Sequence, residues 1–351
     1  MQAVSSLINE VKKYYQQAEA EFKTGNYSLA VGNLNYIVTI IERVCHIDDH
    51  FRDDIYWLLC RSYKILNDFK NAHRVCDKAQ AYFKEKDIVV YGRYNNFRGS
   101  ILSRENRHQE AIEMYHKTLD LLENKRSLNA SKRKKTAYYN MGNTYLRLSK
   151  IKPARKSYEQ AYRLAQMMEI DKTRGNILVG LGVSHYFEGE LDEAEYYYQH
   201  AIKILSREKS FVGYVRLLHN LADVYYDKGQ LDKAKKYYKK TLEDDSIYQR
   251  DRVVAVGSLQ SLALVTLEEE DDVEAAIKYC RKGISIALKG VVTRFTSKME
   301  REVGELFLLM ARCFKKAGQT SEFKIYLSQA ETIFRKYNQE EFLKKVEEYR
   351  S

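Results

Sequence analysis

The chain has 351 residues, 44% hydrophobic and 30% charged, with a formal net charge of +11 and a single proline. This is the composition of a folded, water-soluble protein. No apolar run approaches the roughly 18 residues of a membrane span, and no Ser/Gly-rich stretch marks a flexible linker, so a membrane-spanning chain and a loosely tethered multidomain chain are both excluded.

In chain order, Met1 to Tyr15 lacks the basic region, apolar run and small-residue cleavage site of a secretory signal, which predicts a cytoplasmic protein. The five cysteines, at 45, 60, 76, 280 and 313, are scattered and read as reduced thiols, four of them on packed helical positions. From residue 11 onward one pattern recurs: two amphipathic helices joined by a short turn, with apolar residues at three- and four-residue steps. The predicted units are approximately 11–44, 53–86, 92–125, 135–168, 175–208, 215–248, 256–290 and 304–337. A polar amphipathic helix over 339–350 closes them, so that 1–351 forms one solenoid domain.

The register is set by small residues. Early in each second helix stand Ala30, Ala72, Ala111, Ala154, Ala194, Ala234 and Ala276, with Phe323 in the last unit, about 42 residues apart on average. In each first helix the equivalent is Ala18, Cys60, Gly99, Gly142, Gly182, Ala222, Ala263 or Ala311. A close helix crossing requires a small side chain there, and the aromatics three positions on, Tyr63, Tyr145, Tyr225 and Phe314, are expected to fill the space beside it. Gly25, Asn67, Gly189, Gly229 and Gly318 stand where the first helix of a pair ends in left-handed conformation, and Pro153 follows such a turn near a helix start.

This constellation resembles the tetratricopeptide repeat, most closely in "LGVSHYFEGELDEAEYYYQHA" at 181–201. The resemblance implies an all-α, right-handed superhelical solenoid of about eight long repeats with a C-terminal capping helix. The first helices would line its concave groove. Units longer than the usual 34 residues are expected to lengthen each helix by up to a turn.

Catalytic chemistry is not expected. "CHIDDH", Cys45 to His50, gathers thiolate, imidazole and carboxylates, but no second half elsewhere completes a tetrahedral set, so it reads as a polar interhelix loop. No phosphate-cradling glycine loop and no Cys–His or Ser–His pairing at a usable spacing is found. The chain therefore reads as a non-enzyme with no cofactor and no metal. Lys132 to Lys135, placed just before a helix, reads as a solvated helix start, with a phosphate or acidic-protein contact as the alternative.

In this repeat class, positions 2, 5, 6 and 9 of each first helix face the groove. The residues so implied are Arg93, Asn96, Tyr139, Asn140, Asn143, Asn176, Arg216, His219, Asn220 and Asp223. Asparagine is a poor helix former, and its amide can donate to and accept from a peptide backbone at once. Such a ladder can hold an extended peptide, with Arg93 and Arg216 taking carboxylates. Alternatively, these groups bond between neighbouring helices or face water. The carboxylate clamp of co-chaperone repeats is absent: beside Asn143, position 139 is tyrosine.

The long units, the Tyr/Lys/Ile-rich and proline-poor composition and the asparagine-bearing inner helices resemble the peptide-receptor domains of Gram-positive quorum-sensing regulators, the Rap, PlcR and NprR group, with the NprR type nearest. That resemblance implies a short signalling peptide as ligand, an acidic response regulator as a further partner, and a homo-oligomer. DNA would be contacted only through a helix-turn-helix that this chain does not carry. Peptide binding would switch oligomeric state, transcription activation or response-regulator binding, as in sporulation control. The competing expectation is a constitutive scaffold that holds partner segments without signalling.

Overall fold

The computed structural model describes residues 2–43, 47–168, 173–206, 211–289 and 297–350. Among them the regular structure is entirely helical. The chain divides into two compact units, Met1–Asp171 and Lys172–Ser351.

The first unit holds α1 (Gln2–Lys23), α2 (Tyr27–Ile41), α3 (Asp49–Ile65), α4 (Phe69–Phe83), α5 (Ile88–Arg104), α6 (His108–Leu121), α7 (Leu128–Arg147) and α8 (Ile151–Gln166). They pack as the hairpins α1/α2, α3/α4, α5/α6 and α7/α8, and each second helix also packs on the first helix of the next hairpin. The second unit holds α9 (Arg174–Phe187), α10 (Leu191–Leu205), α11 (Phe211–Asp227), α12 (Leu231–Thr241), the single turn α13 (Ile247–Arg250), α14 (Arg252–Glu269), α15 (Val273–Leu288), α16 (Ser297–Lys316), α17 (Thr320–Lys336) and α18 (Glu340–Arg350). Its hairpins α9/α10, α11/α12, α14/α15 and α16/α17 stack in the same way. α18 lies against α17, burying Val346 and stacking Phe342 on Phe334 at 4.9 Å, which covers the outer apolar face of the last hairpin. Much of the surplus over 34 residues sits in the first helices, where α3, α5 and α11 have 17 residues, α14 has 18, and α7 and α16 have 20.

The hairpin turns follow the sequence. Gly25, Asn67, Gly189, Gly229 and Gly318 all have positive φ, between 58° and 85°. At each of them the amide one residue further on donates to the carbonyl five residues before it, as Glu190 N does to His185 O at 3.0 Å, which closes the last helical turn. Asn106, Ser149 and Asp271 adopt the same conformation at the remaining hairpins of this type. Starts are capped by side chains: Asp48 accepts from Phe51 N and Ser127 from Ala130 N.

The helix crossing differs from expectation in its filler. A Cβ on Gly99 would stand 2.6 Å from Cε1 of Tyr115, and one on Gly142 2.7 Å from Cε1 of Tyr158; Gly182 meets Tyr198 in the same way. The space beside the small residue is thus taken by an aromatic from the second helix of the same hairpin. Of the aromatics three positions on, two bond to the preceding hairpin, Tyr63 OH donating to Asn35 Oδ1 at 3.1 Å and Tyr225 OH to Glu195 Oε1 at 3.0 Å, while Phe314 stacks on Tyr326 of its own hairpin at 5.2 Å. In the second hairpin Cys60 and Cys76 occupy the two crossing positions, buried, with Sγ atoms 3.6 Å apart. Cys280 and Cys313 are buried and free as well, and Cys45 lies outside the described residues.

The basic run at 132–135 does not precede a helix, because α7 already begins at Leu128. Lys134 Nζ reaches back to the carbonyls of Glu123 and Lys125, at 2.9 and 3.1 Å, and Lys135 is buried. Within "CHIDDH", Cys45 and His46 lie outside the described residues. Asp48 is the cap just named, and Asp49 accepts from Tyr82 OH at 2.6 Å.

Candidate functional site

Within the first unit, α3, α5 and α7 are the first helices of three consecutive hairpins, and together they enclose an open cavity of about 460 Å³. The amphipathic pattern that buries one face of each helix in its own hairpin leaves the opposite face to line this hollow. Its apolar wall is Trp57 and Phe97, packed edge to face at 5.1 Å. Asn96 and Asn140 come from α5 and α7, and Ser100 and Thr136 add hydroxyls.

Four cations border the cavity: Arg61, Lys64, Arg93 and Arg133. Arg93 is engaged through Nη1, while its Nε is buried without a partner. Its guanidinium pairs with Asp53 and lies 3.7 Å from the Trp57 ring centroid, while Tyr94 OH donates to the other oxygen of Asp53 at 2.7 Å. Lys64 Nζ donates to Ser100 Oγ at 2.6 Å, and burial with Arg104 nearby pushes its pKa down to about 8. Burial and the Arg93 charge push Arg133 down to about 10. Asn96, only 3% exposed, donates through Nδ2 to the Arg133 carbonyl at 2.8 Å, and its Oδ1 is buried without a partner; Arg133 Nε is in the same condition.

The cavity brings together three of the residues expected at the groove, Arg93, Asn96 and Asn140. Tyr139 and Asn143 stand on α7, where Asn143 Oδ1 accepts from Tyr158 OH at 2.7 Å and the Tyr139 ring lies 6.1 Å from that of Tyr158. In the second unit Asn176 is exposed on α9. Arg216 pairs with Asp251, the N-cap of α14, and Asn220 hydrogen-bonds Tyr198. His219 Nδ1 lies 3.0 Å from Ser258 Oγ, and Asp223 accepts from Tyr238 OH at 2.6 Å, burial holding its carboxyl above the usual range. The carboxylates facing Arg93 and Arg216 are therefore the chain's own.

Trp57, Arg61, Lys64, Phe97, Ser100, Arg133 and Thr136 were not among the expected residues. The repeat register held a signal for most of them: Trp57 and Arg61 occupy in α3 the places of Asn96 and Ser100 in α5. Lys64 and Arg133 lie beyond the four groove positions, so only the packing of three helices around one hollow reveals them.

Residues 92–293 match the family model described as the MalT-like TPR region. Among curated proteins no sequence matches the chain. Among solved structures, a Signal Transduction ATPase with Numerous Domains (STAND) protein with a tetratricopeptide repeat sensor from Pyrococcus horikoshii is similar at a TM-score of 0.66 and 15% identity, over 96% of this chain and 54% of its own. The apo form of RapI is similar at 0.63 and 13%, over 82% and 77%. The apo form of the quorum sensor NprR from B. thuringiensis is similar at 0.56 and 16%, over 93% and 99%. At these identities the likeness is one of fold, that of the tetratricopeptide-repeat solenoid. With more than half its length matched by one repeat family, the chain belongs to the MalT-like TPR region family.

Proposed function

We propose that this chain is the peptide-binding region of a sensor-type regulator. It holds a short extended peptide against the first helices and passes occupancy on as a change in oligomeric state, in transcription activation or in binding of a response regulator. The observation that carries this is the cavity between α3, α5 and α7, which Asn96 of α5 and Asn140 of α7 line with side-chain amides and Trp57 and Phe97 with an apolar wall. An amide in such a place bonds a peptide backbone whatever its side chains, and the aromatics retain part of the ligand's apolar surface. The similarity in fold to RapI and to the quorum sensor NprR supports the same reading.

The test is isothermal titration of the chain with short peptides encoded beside its gene, repeated on Asn96→Ala and Asn140→Ala. Each substitution is expected to weaken binding by about 1–3 kcal/mol, the cost of one lost buried amide contact. Light scattering with and without peptide then separates sensor from scaffold: a bound peptide that leaves the association state and partner binding unchanged favours the constitutive scaffold. Absence of binding by every peptide to a folded chain overturns the proposal.

A further inference from the structure

Arg61, Lys64 and Arg133 border the cavity of the first unit, and none of them has an ion-pair partner among the described residues. No carboxylate lines this cavity, and Asp53 is held by Arg93 and Tyr94. Arg133 Nε, a donor, and Asn96 Oδ1, an acceptor, are both buried without partners. Buried polar groups are rarely left unpaired, because each has lost its bonds to water and gained nothing in return. These atoms belong to residues that line the hollow, as does Arg93, whose Nε is also buried without a partner, and burial together with a neighbouring arginine, Arg104 for Lys64 and Arg93 for Arg133, already disfavours the charged form. What is missing is a negative charge.

We propose that this cavity is an acidic-residue subsite, receiving the carboxylate of a glutamate or aspartate side chain from a peptide lying across α3, α5 and α7. Arg133 and Lys64 bond the carboxylate, and Arg61, exposed at the rim, adds its charge. The Asn140 amide, half-exposed on α7, bonds the peptide backbone, and Trp57 and Phe97 pack against the methylenes of the acidic side chain and its neighbour. A volume of about 460 Å³ admits such a side chain and one flanking residue. The chain's net charge of +11 draws an acidic segment toward it. The inference rests on the peptide-binding reading above and adds which peptides are taken.

Trp57 is the only tryptophan in the chain, so its emission reports occupancy of this cavity directly. The full chain is applied to an array of acetylated heptapeptide amides in pairs that differ only by a central glutamate or glutamine, and pairs that bind are titrated by Trp57 emission. Sodium glutarate and inorganic phosphate are titrated alongside. The glutamate member is expected to bind at least tenfold more tightly. That ratio should fall to about one in R133Q and in K64Q, while R133K retains part of it. Circular dichroism verifies that each variant is folded, and K64Q serves if R133Q is not.

Equal binding of both members overturns the acidic subsite and leaves peptide binding standing. A Trp57 response to glutarate, lost in R133Q, with no peptide bound, overturns the peptide and leaves a small-carboxylate site. A response to phosphate stronger than any to glutarate or glutamate peptides overturns the carboxylate assignment. No response to any probe overturns both readings.

Discussion

The ring of Tyr158 lies against the backbone of Gly142 so closely that a Cβ there would stand 2.7 Å from Cε1 and 2.8 Å from Cζ. The ring is itself fully buried and its hydroxyl is bonded to Asn143, so it has nowhere to retreat. Gly142→Ala is therefore expected to destabilise the chain by about 1–3 kcal/mol, the usual cost of overpacking a filled core. Restoring room with Gly142→Ala/Tyr158→Leu should recover part of that loss. Urea unfolding followed by circular dichroism measures both, and a Gly142→Ala midpoint equal to wild type would show that the crossing is looser than described.

Ser149 ends α7 with φ of 55°, a conformation that costs an L-residue about 1 kcal/mol or more and that glycine adopts at the equivalent turns. Its side chain is exposed. Ser149→Gly should stabilise the chain by about 0.5–1 kcal/mol, somewhat less than the strain removed, because glycine also gains freedom in the unfolded state. A higher urea midpoint is the expected result, and a lower one would refute strain at this turn.

Asp53 holds the Arg93 guanidinium on one oxygen and the Tyr94 hydroxyl on the other, with both charged side chains largely buried. Asp53→Asn leaves a buried cation uncompensated and is expected to cost about 3 kcal/mol, whereas Asp53→Asn/Arg93→Met, which removes the charge as well, should cost clearly less. The same pair of variants tests the cation–π contact, because Trp57 emission should change whenever Arg93 leaves its ring.

Lys64 is held below the ordinary lysine range, at about 8, by burial and by Arg104. In the unfolded chain the amine titrates near 10.4, so between these values the unfolded state binds more protons and stability contributed at this site rises with pH. The destabilising effect is complete below pH 8 and is relieved above it. Lys64→Met should accordingly stabilise the chain at pH 7 and give a smaller gain at pH 9.5, read from urea midpoints at the two values. An equal gain at both would show that Lys64 titrates normally.

The all-helical class, the repeat register and the turns were legible in the sequence, because each rests on local physics. Apolar spacing dictates which helix face is buried, small residues mark close crossings, and Gly25, Asn67, Gly189, Gly229 and Gly318 mark chain reversals that few residues tolerate. Ser149 carries no such mark, because hairpin packing imposes on it a conformation that a serine side chain does not favour. The crossing aromatics are not legible from neighbours in one helix, since only the hairpin brings Tyr158 beside Gly142.

The candidate site divides along the same line. Asn96, Asn140 and Arg93 were reachable from the repeat register, which says which face of a helix a residue occupies. Whether a polar group on that face is spent or free depends on a partner some 15 to 40 residues away in sequence. Asn143 is engaged by Tyr158 and Arg216 by Asp251, while Asn96 Oδ1 is left unmet. Hydrogen bonds and ion pairs extend only a few ångströms, so that outcome, and the placing of Lys64 and Arg133 on one cavity, was decided by tertiary packing alone.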